Sequence, residues 1–142
     1  MYWEKNSTMK TLILIVGLAL SSLSFAKTKT FEVQVDEVSV NGSLDMQPRK
    51  LNVKPNQPVV ISRSFDSSGV NTVVEMKVSD DDSKIKDGIL ISLSITEEKD
   101  GTKKLVGTPQ MIIKSGHKAQ MTEGKEGETP FIKASLTGTR VQ

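Results

Sequence analysis

The chain contains no cysteine, and its aromatic residues are few: one Trp, one Tyr and four Phe among 142 residues. Without cysteine there is no disulfide, so stability depends on a packed core. A single His without Cys cannot fill a usual zinc site, which takes about four ligands. Sugar-binding and single-strand nucleic-acid sites usually depend on exposed aromatic platforms, so this composition disfavours both. The net charge of +2 gives no electrostatic reason to bind nucleic acid or an anionic membrane.

The N-terminal region has the pattern of a secretory signal peptide. Lys10 supplies a positive start, Leu12–Leu20 is an apolar core, and Ser24–Ala26 is a small-x-small cleavage site. A membrane-spanning helix needs about 20 apolar residues, and this core is shorter, so a cleaved leader is favoured over an anchor. We predict that residues 1–26 are an N-terminal extension and signal peptide. Residues 27–142 then form a single β-domain that is periplasmic or secreted and does not insert into the membrane.

Apolar and polar residues alternate along most of the remaining chain, which is the period of a strand with one buried face. The alternation is longest from Val70 to Val78 and from Ile89 to Ile95. Across Asp36-Glu37 it slips by one residue, which is what a β-bulge or a bend produces. Other alternating apolar positions are Phe31, Val33, Val35, Val38, Val40, Leu51, Val53, Val59, Ile61, Met111, Ile113, Ala119, Met121, Ile132, Ala134 and Leu136.

Short turn dipeptides separate these segments, and in each we expect the glycine to supply a positive φ. They are Asn41-Gly42, Ser68-Gly69, Asp87-Gly88, Asp100-Gly101 and Ser115-Gly116. No helical period follows the leader, and the tail after Leu136 is expected to fray. We therefore predict an all-β fold, a single antiparallel β-sandwich or small open barrel of about seven short strands. The Cys pair, core Trp and corner Tyr of immunoglobulin domains are missing, so that topology is not indicated.

Two clusters of polar residues are candidates for chemistry. His117 is the only histidine, Ser115 lies two residues before it, and Asp100 lies in the preceding turn. Residues i and i+2 across a glycine turn seldom face each other, so we interpret His117 as an exposed turn residue rather than a catalytic base.

The second cluster, Asp80–Asp82 with Asp87, could hold calcium weakly but lacks the spacing of an EF-hand. A solvated loop is the favoured interpretation. We predict a protein that is not an enzyme, with no catalytic residue, no metal and no cofactor.

The segment from Thr108 to Glu128 has the strongest local pattern: a proline, an apolar strand, a glycine turn and a second short strand. Its spacing resembles the strand-turn-strand motif of bacterial secretins, the outer-membrane channel proteins of secretion and pilus systems. The resemblance covers about residues 100–124 and implies a hairpin. It rests on Pro109, Met111, Ile112, Gly116, Ala119, Met121 and Gly124, with Asp100-Gly101 and Leu105 upstream. The channel-wall and ring-forming regions of secretins have no counterpart in this sequence, so the resemblance does not imply a channel.

Within that hairpin we take Gly116, Pro109, Ala119 and Gly124 to be structural turn positions. The apolar residues of its two strands are expected to share one face that closes onto Ile91 and Leu93. The favoured function is a non-enzymatic accessory or protein-interaction component of a bacterial envelope or secretion assembly, which binds another envelope protein, for example through a strand edge. The alternative is a periplasmic β-sandwich or barrel that binds a small ligand.

Overall fold

The structure, a computed structural model, describes residues 30–141, and all regular elements in this range are β-strands. The predicted leader, residues 1–26, lies outside the described residues. No helix in the described range is long and apolar enough to cross a membrane. The strands are β1 (Thr30–Val40), β2 (Ser43–Met46), β3 (Arg49–Val53), β4 (Val59–Phe65), β5 (Asn71–Asp80), β6 (Gly88–Lys99), β7 (Thr102–Gly107), β8 (Gln110–Lys114), β9 (Lys118–Glu123) and β10 (Ile132–Val141).

These strands form two antiparallel sheets. The first sheet has the order β9-β10-β1-β2, and β3 also pairs with β1. The second has the order β4-β5-β6-β7, and β8 also pairs with β6. The all-β prediction is confirmed, and two antiparallel sheets that form no closed barrel within the described range are consistent with a β-sandwich. There are ten described strands rather than about seven because one side of β1 and one side of β6 are each occupied by two short strands.

The core lies between the sheets and is almost entirely aliphatic. Val74 and Ile91 are fully buried and Leu93 is 2% exposed, as the alternation predicts. Phe31 is the only fully buried aromatic residue in the described range, whereas Phe65 is 74% exposed. Because the chain has no cysteine and hence no disulfide, its stability depends on the packing of branched side chains from both sheets.

The phase slip in β1 is a β-bulge, as predicted. Glu37 pairs with Ser135 and Val35 pairs with Leu136, which leaves Asp36 as the extra residue. The bulge lets Val35 and Val38 both face the core, although they are three positions apart in sequence, an odd spacing that would put them on opposite faces of a regular strand.

A second bulge, in β4, was not predicted. Val60 pairs with Glu75 and Ser62 pairs with Val74, so Ile61 is the extra residue. Ile61 and Ser62 are consequently both buried. The Ser62 hydroxyl donates a hydrogen bond to the carboxylate of Asp45 in β2, which links the edges of the two sheets.

The predicted hairpin between Thr108 and Glu128 is wrong. β8 pairs with β6 in the second sheet, whereas β9 pairs with β10 in the first. The chain around Gly116 therefore crosses the gap of about 10 Å between packed sheets instead of joining two paired strands. The apolar residues of β8 and β9 still point into one core, from opposite sides, because period two is the same in both arrangements.

Two further expectations about the backbone are corrected. In the Asp87-Gly88 turn the positive φ belongs to Asp87, at 65°, and not to the glycine. Gly88 is needed because a Cβ there would collide with the carbonyl oxygens of Asp81 and Ile85. The chain after Leu136 does not fray, since β10 continues to Val141 in register with β1.

Candidate functional site

The four residues predicted as structural turn positions occupy different places in the fold. The Pro109 carbonyl accepts a hydrogen bond from the Leu93 N–H at 2.9 Å, in the break between β7 and β8. Gly116 has a φ of 86° and lies in the crossing between the sheets. Ala119 is buried within the strand β9, where it pairs with Leu136, so its prediction as a turn residue is wrong. Gly124 has a φ of 91°, and a Cβ there would collide with the Pro130 carbonyl oxygen.

The structure does not bring Ser115, His117 and Asp100 together. Asp100 follows the far end of β6, a 12-residue strand that spans roughly 35 Å at the usual rise per residue. The Ser115 hydroxyl oxygen accepts a hydrogen bond from the Arg140 N–H at 3.0 Å. His117 is exposed, as predicted. A nucleophile, a base and an orienting carboxylate are therefore not assembled from these residues.

The acidic loop between β5 and β6 is held by a cation from the other sheet. The guanidinium of Arg140, in β10, donates from Nε to Asp80 Oδ1 at 2.6 Å and from Nη2 to Asp82 Oδ1 at 3.1 Å. Its Nη1 reaches Asp87 Oδ1 at 3.3 Å, and Nη2 also donates to the Gly88 carbonyl at 2.6 Å. We call these residues the Arg140 clamp. Most of the loop is exposed to solvent, in line with the predicted solvated loop, and the clamp in addition ties it to the first sheet.

Charge and hydrogen bonding favour the ionised forms in and beside this clamp. Burial of the Arg140 side chain opposes its charge, but hydrogen bonds to Asp80 and Asp82 more than offset that cost and raise its pKa. Next to the clamp, the Asp81 carboxylate accepts hydrogen bonds from the Ser83 hydroxyl and N–H, which lower the pKa of Asp81. The clamp thus joins the two sheets by charge-assisted hydrogen bonds. Within residues 30–141, no group of three or more His, Cys, Asp or Glu side chains is arranged to hold a metal ion.

A groove lies on the outer face of the second sheet. Lys77 pairs with Ser92 and Glu75 pairs with Ser94, and the two short serine side chains of β6 leave a depression between taller neighbours. Its volume is about 340 Å³. The residues lining it are Pro58, Glu75, Met76, Lys77, Ser92, Leu93, Ser94, Thr108 and Gln110.

The edge strand β7 presents unpaired backbone. Lys99 pairs with Thr102 across a two-residue turn in which both loop residues have positive φ, so this is the hydrogen-bonded pair nearest the turn. Hydrogen-bonded and non-hydrogen-bonded pairs alternate in an antiparallel ladder. Lys104 therefore directs its N–H and C=O towards β6, whereas Lys103 and Leu105 direct theirs outward. Within the described range β7 pairs with no other strand.

This open edge consists of Thr102–Leu105. All four residues are exposed, and Leu105 is 60% exposed despite its apolar side chain. Beyond it, β9 approaches the same side: the Glu123 side chain lies against Gly107 so closely that a Cβ would collide with it. On the opposite side of the second sheet, β4 is linked to β2 through Ser62. The edge at Thr102–Leu105 has no such cover among residues 30–141.

Comparisons with known protein families, with curated protein sequences and with solved structures found no significant match for this chain.

Proposed function

We propose that this chain is an exported, non-enzymatic β-domain that binds another protein of a bacterial envelope or secretion assembly by adding a strand of that protein to β7. The observation that carries the proposal is the open edge Thr102–Leu105. The outward N–H and C=O groups of Lys103 and Leu105 offer four main-chain hydrogen bonds, which is the usual source of affinity in strand addition. The exposed Leu105 side chain adds apolar area for an incoming side chain to cover.

The edge is also protected against unselective pairing. It is short, and it carries Lys103 and Lys104, which are typical devices against edge-to-edge aggregation. Such an edge favours a partner of suitable chemistry over a second copy of the same strand.

Proline scanning tests this proposal. Lys103→Pro removes one outward N–H and no ladder hydrogen bond, so the melting temperature should change little. Lys103→Ala removes the same side chain but keeps the N–H, and it is the matched control. Lys104→Pro removes an inward N–H and should destabilise the domain.

The measurement is in-cell crosslinking of the tagged full chain, followed by affinity capture from the native envelope. We expect a discrete captured protein with the unmodified chain and with Lys103→Ala, and loss of that protein with Lys103→Pro. Capture that is equally strong with a folded Lys103→Pro variant would refute strand addition at β7.

The outer groove supports a second candidate function, the binding of a small ligand. Its volume of about 340 Å³ is at the lower end of the usual range for ligand pockets, roughly 300–1,000 Å³. Native mass spectrometry of protein taken directly from cells should then show a retained small molecule. Ser94→Phe, which fills the groove, should release it, whereas Ser135→Phe on the first sheet should not. A molecule retained equally by both variants would exclude the groove.

A further inference from the structure

The chemistry of the open edge also defines the strand that it accepts. We infer that the partner strand carries an acidic residue and an apolar residue two positions apart, with the acidic one opposite Lys103 and the apolar one opposite Leu105. This inference depends on the proposed strand addition and deepens it by naming the chemistry of the partner.

The geometry of β7 sets the spacing. Side chains two residues apart in a strand lie on the same face of the sheet, so Lys103 and Leu105 project together, on the outer face. In an added strand, the residues directly opposite them are also two positions apart, with Cβ atoms about 5 Å away. Each partner side chain at these positions therefore contacts one defined side chain of β7.

The charge on Lys103 is available to a partner. Glu98 lies opposite Lys103 in β6, yet no ion pair joins them: the ion pairs within residues 30–141 involve Lys118 and Arg140. Lys104 adds a second exposed ammonium on the other face of the same strand. Opposite-charge pairs directly across two strands are favourable and like-charge pairs are unfavourable. A carboxylate opposite Lys103 is consequently preferred over an ammonium.

The apolar position follows from Leu105. Its 60% exposure leaves most of the side chain in water. An aliphatic partner residue directly opposite would remove part of this apolar surface from solvent, which a serine would not do to the same extent. The two preferences act on different partner positions and can be measured separately.

Three synthetic peptides test the inference against the full exported chain. All are extended threonine-rich heptapeptides: the first has Glu and Val two positions apart, the second has Lys in place of Glu, and the third has Ser in place of Val. Binding is followed by NMR as shifts of the amide signals of Thr102–Leu105. We expect the first peptide to bind about three- to fivefold more tightly than either of the others.

Charge reversal supplies the decisive comparison. Lys103→Glu should prefer the Lys peptide over the Glu peptide, Lys103→Gln should show neither preference, and high salt should reduce the charge preference of the unmodified chain. Equal binding of the Glu and Lys peptides at β7, abolished by Lys103→Pro, would overturn the inference and leave strand addition intact. Peptide binding that Lys103→Pro does not affect would overturn both.

Discussion

Replacing Arg140 with methionine would remove the cation of the Arg140 clamp and keep a side chain of similar length. The Arg140 side chain is 14% exposed, and its guanidinium makes hydrogen bonds to three carboxylates and one carbonyl. In the variant, Asp80, Asp82 and Asp87 lose their shared counter-ion and repel one another. The loop between β5 and β6 also loses its link to β10. We expect the domain to remain folded but to be clearly less stable.

The size of the effect follows from the exposure of the partners. A hydrogen bond to a charged group contributes about 1.5–3 kcal/mol when it is shielded from water, whereas an exposed ion pair contributes only about 0.2–1 kcal/mol. The Asp80, Asp82 and Asp87 side chains are 40%, 67% and 57% exposed, so water replaces part of what Arg140 supplies. We therefore estimate a loss of about 2–3 kcal/mol, against a total stability of about 5–15 kcal/mol for such a domain.

Thermal unfolding followed by circular dichroism measures this loss. For a domain of this size, about 2–3 kcal/mol corresponds to a fall of roughly 8–12 °C in Tm. Lys118→Met is the matched control, because Lys118 makes a single 3.3 Å ion pair with Asp36 and its side chain is 63% exposed; we expect a change below about 0.5 kcal/mol. The fall in Tm with Arg140→Lys should lie between those of Arg140→Met and Lys118→Met, since lysine keeps the positive charge but lacks the planar guanidinium donors. If Arg140→Met lowered Tm no more than Lys118→Met, the clamp would not stabilise the contact between the sheets.

Three other variants or measurements address the core, the crossing and the leader. Leu93→Ala should cost about 2–5 kcal/mol, and a loss no larger than that of Lys103→Ala would contradict its place in the core. Gly116→Val should destabilise the domain by at least roughly 1 kcal/mol, and the positive φ alone is the cause, because a Cβ there meets no atom within 4 Å. His117→Ala should change the stability by no more than about 0.5 kcal/mol. A larger loss of stability with His117→Ala than with Gly116→Val would refute the assignment of the crossing. N-terminal sequencing of protein from cells should begin at Lys27, and a membrane-retained species that keeps the apolar core of the leader would contradict export as a cleaved protein.

Alternation predicted most of the strands and the side chains that face inward, because burial of one face imposes period two on any strand. It also located the bulge in β1, since an extra residue shifts the phase of the apolar-polar alternation. It could not assign strands to sheets. β8 and β9 have the same alternation whether they pair with each other or cross between sheets, so the predicted hairpin around Gly116 was wrong.

The candidate site was only partly predictable for the same reason. The sequence predicted a turn at Asp100-Gly101 but no strand at β7, and nothing local shows that β7 lies at an edge, because that depends on the order of the strands in the second sheet. The Arg140 clamp joins residues about 60 positions apart in sequence. The sequence around Arg140 does not indicate which carboxylates it contacts, because these groups come together only when the two sheets pack.

The pairing of β10 with β1 has a consequence for the order of folding. Thr30 pairs with Val141, and β10 lies between β1 and β9 in the first sheet. A ribosome that releases the chain from its N-terminal end therefore releases β1 long before β10, the strand that joins it to β9. Until β10 emerges, β1 can pair only with β2 and β3, so the first sheet stays incomplete and covers only part of the inner face of the second sheet. Contacts this distant in sequence make folding slow, typically milliseconds to seconds. The first sheet would therefore be completed only after β10 has emerged.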